Sequence, residues 1–241
     1  MDVLLKKQEE FNEAMARYEE DRFYSLFNYC ISSLNVFMQI CLFVLLFTLK
    51  TTFLEHLLLF FLAFVLADFI NGLVHLYMDH NDSYKGFWGP FIANFHLHHL
   101  KKKYKIKPLW AIYFFESGSK VWLLFLQVVF LLFLVISHFL HWETPSSFVV
   151  LFFYFSVLSS VAEVSHYICH SVNSKFFSFL AKWKILLPLK HHYKHHAYDN
   201  NNYAFLNGMT DPLINRIAKK YYTGYKQNSD KHFAKYNSTA K

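Results

Sequence analysis

The sequence has little of what an ordinary soluble domain contains. Of its 241 residues only 17% are charged and only six are glycine, whereas 54% are hydrophobic and 21% are aromatic. This balance is too apolar for a soluble domain of this length and favours a membrane protein. We find no internal repeat, and no linker rich in proline, glycine or serine divides the chain.

Lysine and arginine are missing from four long apolar stretches, which span residues 31–49, 53–78, 121–140 and 148–169. A helix that crosses the hydrocarbon core of a bilayer needs about 20 mostly apolar residues, and each stretch meets this requirement. The sequence therefore predicts an all-α, polytopic membrane protein with about four transmembrane helices.

The first 28 residues lack the short basic region and apolar core of a signal peptide. Phe11, Met15 and Tyr18 recur at helical spacing, which indicates an amphipathic helix at the membrane surface. We expect three regions, namely an amphipathic N-terminal segment (1–30), a membrane domain (31–220) and a polar, disordered tail (221–241).

Cysteine is also scarce. The three cysteines, Cys30, Cys41 and Cys169, lie in or beside the predicted spans and form no paired motif. We interpret them as apolar side chains rather than as metal ligands or disulfide partners.

Basic residues are nearly absent from one side of the membrane. With four spans, the N-terminus, the 79–120 loop and the C-terminal region share a side that carries 23 of the 24 lysines and arginines, and Lys50 alone lies opposite. The positive-inside rule assigns the basic side to the cytoplasm. The net charge of +7 is thus explained by topology rather than by nucleic-acid binding. We expect a bacterial inner membrane or the endoplasmic reticulum as the location.

Histidine, in contrast, is abundant, and eleven of the fifteen histidines form four clusters. The clusters are His75 with His80; His96 with His98 and His99; His166 with His170; and His191, His192, His195 and His196. Each cluster follows the cytoplasmic end of a span or lies in a loop on that side, which predicts a histidine-rich cytoplasmic cap. Single histidines at 56, 138, 141 and 232 are interpreted as interfacial, hydrogen-bonded residues.

Polar side chains recur at steps of three and four residues in two spans, as in Asp68, Asn71, His75 and Asp79 and in Glu163, His166 and His170. Such spacing places each set on one helix face. A carboxylate at membrane depth costs about 2.5 to 3.5 kcal/mol unless it is paired or coordinated, so both faces should point into the bundle. For Asp68 we expect a bracing role through Asn71, or a hydrogen bond to Ser159 or Ser160.

The densest cluster, KHHYKHH, follows Pro188, where we expect a helix to begin. His191 and His195 would then share one face, and His192 and His196 the adjacent one. The four clusters offer more ligands than one ion can use, which indicates two metal ions. Imidazole suits zinc, copper, iron and nickel, and added carboxylate favours iron that handles oxygen.

Four motifs in order resemble those of the Kua-type lipid desaturases, over residues 60–217. ADFINGLVHLYMD at 67–79 is similar to the family's ADFxSGxxHWxxD, and GPFIANFHLHH at 89–99 to a stretch ending in FRxHH. HYICH at 166–170 resembles HKWxH, and KHHYKHH at 190–196 resembles KHHxxHH. Asn207, Gly208, Asp211 and Pro212 then stand where the family has TGWxNP.

This resemblance implies a non-haem di-iron oxidoreductase. The two irons would activate dioxygen with electrons from cytochrome b5 or ferredoxin and its reductase, and would introduce a double bond into a lipid acyl or alkyl chain. Plasmanylethanolamine, the precursor of plasmalogen, is one candidate substrate. The implied metal ligands are His75, Asp79, His98, His99, His166, His170, His191, His192, His195 and His196.

The sequence departs from the family pattern around these ligands. His96 replaces an arginine, Glu163 and Val164 replace an Asn-Gln pair, and Leu76 and Ile168 replace tryptophans. Asn200 and Asn201 stand where the family often has Pro-His. The resemblance therefore supports the oxidative chemistry better than any particular lipid.

Other functions remain open from the sequence. A lipid hydroxylase would use the same site and differs from a desaturase only after the first hydrogen is removed. A metal-ion transporter would place its ligands near the bilayer midplane on broken helices, whereas these histidines gather at one end. A haem protein with two histidine ligands would leave the other histidines unexplained.

The topology predicts that both termini and all four histidine clusters face the cytoplasm. The sequons at Asn81 (NDS) and Asn237 (NST) should therefore stay unmodified in a eukaryotic host. A gel-shift assay with and without glycosidase measures whether either asparagine carries a glycan. Glycosylation of either asparagine would contradict the four-span topology.

Overall fold

The computed structural model describes residues 3–99, 107–115, 120–171, 174–198 and 200–222. Within these ranges it is all-helical and contains no strand. The helices are α1 (Val3–Glu20), α2 (Arg22–Leu46), α3 (Phe53–His80), α4 (Gly89–His96), α5 (Leu109–Phe115), α6 (Val121–Phe139), α7 (Ser146–Ser171), α8 (Lys175–Lys182), α9 (Leu189–Ala197) and α10 (Asp211–Tyr221). The predicted tail beyond residue 222 lies outside the described residues.

Four of these helices, α2, α3, α6 and α7, are long and apolar enough to cross a membrane, which confirms the four predicted spans. The first span begins earlier than predicted, at Arg22 rather than at residue 31. It starts there because the Asp21 side chain accepts a hydrogen bond from the backbone N–H of Phe23 and caps the helix. Helix α9 begins at Leu189, directly after Pro188, as the sequence predicts.

The start of α3 explains a charged residue inside an apolar stretch. Glu55 accepts a hydrogen bond from the Thr52 backbone at 2.6 Å, and Thr52 caps the Glu55 N–H in return. The neighbouring His56 bonds to the hydroxyls of Thr51 and Tyr154, at 2.8 and 3.0 Å. The start of α3 is therefore held by its own capping bonds and by a hydrogen bond to α7.

Helices α3 and α7 form the most extensive helix pair of the bundle. Ala63 and Ala67 on α3 and Ala162 on α7 are completely buried between hydrophobic neighbours. Small side chains allow two helices to approach closely inside a membrane, where dispersion contacts drive association. This close approach sets the spacing between the two polar faces that the sequence places on these helices.

The N-terminal helix forms as predicted, and its apolar face is covered by protein. Phe11 and Met15 are buried against Tyr84, Ile92 and Ala93. The Phe11 and Tyr84 rings meet edge to face, with centroids 5.3 Å apart. Helix α1 thus packs on the 84–93 region, which leads into the second histidine cluster at 96–99.

Three amide side chains of α2 and α6, those of Asn35, Gln39 and Gln127, are buried inside the bundle. The Gln39 amide donates to the Ser160 hydroxyl at 2.9 Å, and the Asn35 amide donates to the Ile31 carbonyl at 3.0 Å. The Gln127 amide donates to the Asn35 carbonyl at 3.4 Å. Since the hydrocarbon core offers no water, these bonds join the outer spans to α7 and to each other.

Asp68 on α3 clamps the segment 200–210, which runs from near the end of α9 to the start of α10. Its Oδ1 accepts hydrogen bonds from the backbone N–H groups of Asn207 and Gly208, at 2.9 and 3.1 Å. Its Oδ2 accepts from the backbone N–H and the hydroxyl of Thr210, at 2.9 and 2.7 Å. A fully buried carboxylate thereby receives four donors.

The bracing role expected for Asp68 therefore has other partners than the sequence suggested. Asn71 and Ser159 bond to each other at 3.0 Å, across the α3–α7 interface. Asp68 instead faces the segment 200–210, because one step of three residues turns the side chain about 60° away from Asn71. Gly72 lets the same segment lie close, since a Cβ there would come within 3.0 Å of the Ala204 Cα.

Replacing Asp68 with Asn should weaken this clamp without removing the metals. The amide nitrogen cannot accept a hydrogen bond, so two of the four N–H or O–H donors would lose their acceptor. The protein should therefore lose about 1 to 3 kcal/mol of stability. We expect a lower thermal unfolding temperature in detergent, partial activity and unchanged metal content. Glu143→Gln, at an exposed site, is the control. Complete loss of metal in Asp68→Asn at an unchanged unfolding temperature would instead identify Asp68 as a ligand.

Candidate metal centre

The structure gathers histidines from α3, α7, α9 and the turn that follows α4 into two adjacent ligand groups. We call them the α3 group, His75, Asp79, His98 and His195, and the α7 group, His166, His170 and His192. In each group the potential ligand atoms lie within 4.8 Å of one another. Both groups lie toward the C-terminal ends of α3 and α7, at one end of the bundle.

The α3 group combines three imidazoles with one carboxylate. His75 Nε2 lies 3.1 Å from His98 Nε2 and 3.2 Å from Asp79 Oδ2. His195 Nε2 lies 3.2 Å from the same Asp79 oxygen. All four side chains are buried, with at most 3% of any of them exposed. The side chain of the adjacent predicted ligand, His99, lies outside the described residues.

In the α3 group a backbone carbonyl contacts the Nδ1 side of each of the three imidazoles. His75 Nδ1 lies 2.7 Å from the Tyr203 carbonyl, His98 Nδ1 lies 2.8 Å from that of Phe95, and His195 Nδ1 lies 3.0 Å from that of Asn201. A carbonyl can only accept, so each Nδ1 carries the proton and donates it. The Nε2 lone pairs are left to point toward the shared centre, as metal-ligating histidines require.

The α7 group is made of imidazoles alone. His192 Nε2 lies 3.0 Å from His166 Nε2 and 2.9 Å from His170 Nε2. His196, from the same helix as His192, brings its Nε2 to 2.9 Å from the His192 nitrogen. Four imidazole nitrogens therefore converge. Those of His166, His170 and His196 all lie close to Nε2 of His192.

This convergence fits a bound metal ion. Two imidazole nitrogens bound at right angles to one ion at about 2.1 Å lie about 3 Å apart, which matches the separations in both groups. In the α3 group the Nδ1 atoms of His75 and His98 carry the ring protons, so their close Nε2 atoms cannot hydrogen-bond to each other, and an ion between them would account for their approach. The donor set therefore fits a metal in each group.

The two groups lie side by side and share helix α9. The rings of His192 and His195 have centroids 5.3 Å apart, although they belong to different groups. Across the helices, the His98 and His166 ring centroids lie 5.5 Å apart. A single helix with histidines at two neighbouring faces thus supplies both groups, as the spacing of KHHYKHH predicts.

Burial favours the neutral form of His192 and His195 on α9. It lowers the pKa of His192 well below its ordinary value, and the neighbouring His166 and His170 lower it further. Burial also lowers the pKa of His195, and His75 adds to this shift while Asp79 opposes it. A neutral imidazole is the form that binds a metal ion, so these side chains need no deprotonation at physiological pH.

His191, a predicted ligand, lies outside both groups. Its Nε2 donates to Asp211 Oδ2 at 2.5 Å, and the other Asp211 oxygen accepts from the Ala204 N–H at 2.8 Å. Burial raises the pKa of Asp211, which the bond from His191 opposes. His191 therefore ties α9 to α10. Gly208 makes room for it, because a Cβ there would lie 2.6 Å from His191 Nε2.

Two other histidines of the sequence clusters also have structural partners. His96 bonds to the Tyr84 hydroxyl at 3.0 Å and to the Met78 carbonyl at 2.8 Å. His80 bonds to the Leu76 carbonyl at 2.8 Å, and its ring packs at a tilt against that of Tyr222, with centroids 4.3 Å apart. His96 thereby joins α4 to α3, and His80 joins α3 to the residue that follows α10.

Sequence reasoning missed the groups that support the ligands. The carbonyls of Phe95, Asn201 and Tyr203 belong to the backbone, so no side-chain motif marks them. Phe205 was not identified either, although its ring contacts one histidine of each group, with its centroid 5.4 Å from that of His75 and 5.3 Å from that of His166. Its proximity to the KHHYKHH motif was the only available signal.

Four candidate membrane-spanning helices that hold two buried ligand groups at one end define a polytopic membrane protein with a histidine-rich metal-binding site. A family model described as a lipid desaturase domain matches residues 64–220, which include all the ligands named above. The chain belongs to this family, the Kua-type lipid desaturases. Comparisons with curated proteins and with solved structures gave no match.

Neighbouring residues on α9 should respond differently to replacement. His192→Ala removes the nitrogen on which the α7 group converges, so it should lose about one metal ion per chain. His191→Ala should keep both metals, but it leaves the Asp211 carboxylate short of a donor and should cost about 1 to 3 kcal/mol of stability.

Elemental analysis of the purified variants, together with thermal unfolding, checks both expectations. Equal metal loss in His191→Ala and His192→Ala would show that His191 is a ligand. Full metal content in His192→Ala would contradict the α7 group.

Proposed function

We propose that this protein is a di-iron, dioxygen-dependent lipid desaturase that introduces a double bond into an acyl or alkyl chain. The observation that carries the proposal is the pair of adjacent, buried ligand groups inside a lipid desaturase domain. We further propose that cytochrome b5 or ferredoxin supplies the electrons, and that the site faces the cytoplasm.

The metal ligands in this proposal are His75, Asp79, His98 and His195 for one iron and His166, His170, His192 and His196 for the other. Bound iron would supply the oxidising power that an unactivated C–H bond requires, using dioxygen and external electrons. The mixture of imidazole with the Asp79 carboxylate is the donor type that suits iron in oxygen chemistry.

The protein's own residues would orient the ligands and exclude water. Carbonyls fix the imidazole rings of the α3 group, and burial of His75, Asp79 and His195 at about 1% exposure keeps solvent out. Asp79 contributes a negative charge that offsets part of the charge of a bound cation. Phe205 closes the membrane side of both groups with an apolar ring.

A groove along the spans offers a place for a hydrocarbon chain. It encloses about 360 Å³ between α3, α6 and α7, and its lining is entirely apolar: Leu66, Ile70, Phe130, Phe148, Leu151, Phe152 and Phe155. Ile70 precedes His75 by five residues, which is about 7.5 Å along the helix. A chain lying in this groove would therefore reach toward the ligand end of the bundle.

Lipidomics of a host that expresses this chain tests the proposal. We expect at least one lipid class to lose two hydrogens in an aerobic culture and not in an anaerobic one. His195→Ala should abolish this product, because it removes a ligand, whereas His56→Ala at the opposite end of the bundle should retain it.

The identity of the product separates related reactions. A new double bond supports the proposal, while an added hydroxyl group would replace it with a lipid hydroxylase. Lipids that are identical in the presence and absence of the wild-type chain, with its carrier co-expressed, would contradict both reactions.

A further inference from the structure

Lys120 is a buried cation beside the spans. The sequence counts it among the basic residues of a loop, but the structure leaves only 2% of it exposed, just before α6. Its ammonium donates to Asn71 Oδ1 at 2.8 Å and to the Ser159 carbonyl at 2.7 Å. One charge is thus fixed between α3 and α7, the two helices that carry His75, Asp79, His166 and His170.

A single aromatic ring, that of Phe205, separates the Lys120 ammonium from both ligand groups. Lys120 Nζ is 5.1 Å from the centroid of the Phe205 ring. That same ring contacts His75 and His166, one residue from each group. Asn71, which holds the ammonium, also precedes His75 by a single turn of α3. No other described lysine or arginine is buried in this way.

Glu163 is the nearest counter-charge, with Oε2 3.8 Å from Lys120 Nζ. Its side chain is 23% exposed, whereas that of Lys120 is 3% exposed. The carboxylate is therefore less enclosed by protein than the ammonium. Burial lowers the pKa of Lys120 to about 8, against the opposing effect of Glu163. The hydrogen bonds to Asn71 and Ser159 and the ion pair with Glu163 all favour the charged ammonium.

We propose that Lys120 is a positioning residue whose fixed positive charge raises the reduction potential of iron held by the two ligand groups. In a medium of low dielectric a nearby cation favours the metal state of lower positive charge. Lys120 would therefore favour uptake of one electron by a ferric ion to give the ferrous ion, with the carrier protein as reductant. The inference rests on the proposed function, since it requires a redox-active metal.

Redox titration of the iron-loaded, purified protein tests the inference, with the ferric and ferrous forms followed spectroscopically. Lys120→Met removes the charge at similar length and should lower the midpoint potential. Glu163→Gln removes the counter-charge, leaves the bonds from Lys120 to Asn71 and Ser159 intact, and should raise the potential. Lys182→Met, at an exposed site on α8, is the control and should change nothing.

Shifts of opposite sign in the two variants support the inference, because loss of packing alone would not depend on the sign of the charge. An unchanged potential in Lys120→Met overturns it, and so does a fall in Glu163→Gln. If Lys120→Met does not fold, Lys120→Gln takes its place: a lowered potential supports the inference and an unchanged potential overturns it. Protein that binds no iron at all overturns the proposed function as well.

Discussion

Asp68 receives four hydrogen bonds from Asn207, Gly208 and Thr210, and the position of the segment 200–210 depends on this contact. That segment supplies the Tyr203 and Asn201 carbonyls, which orient His75 and His195. It also supplies Phe205, which covers the membrane side of both ligand groups. A carboxylate inside a spanning helix would be costly alone, and its four donors make it a fixed anchor for the cap.

A second set of bonds holds the same segment against α7 and α9. The Ser165 hydroxyl donates to the Leu206 carbonyl at 2.7 Å and accepts from the Leu187 N–H at 2.9 Å. Asp211 accepts from His191 and from Ala204. The ligands thus lie on three helices and a short turn, and the segment 200–210 contacts all three helices. Ligand geometry is therefore a property of the cap as a whole rather than of separate motifs.

The sequence was sufficient to predict the four spans and the start of α9, because both follow from local patterns. Hydropathy over about 20 residues identifies a span, and Pro188 marks a helix start. The same patterns place His75 and Asp79 on one face of α3, where the structure has them. The N-terminal extension of α2 was missed, since Arg22 and Tyr24 are polar at the interface and only the Asp21 cap marks the true start.

Partners distant in sequence could not be predicted. Helical periodicity predicts the face of α9 on which His191 lies. It does not predict that Asp211, on another helix, lies opposite that face. Asp68 lies about 140 residues from its partners, which are mostly backbone N–H groups. Lys120 carries no sign of burial in its local sequence, and only the arrangement of α3 and α7 removes it from water. Tertiary packing decides each of these cases.

The central claim is that two iron ions bind side by side in the two ligand groups. Mössbauer spectroscopy of the purified protein, prepared from cells grown on ⁵⁷Fe, tests it most directly. The account predicts close to two irons per chain and the signature of a magnetically coupled pair. Zinc that fills the site after anaerobic purification from iron-replete cells, or a single uncoupled iron, would contradict it.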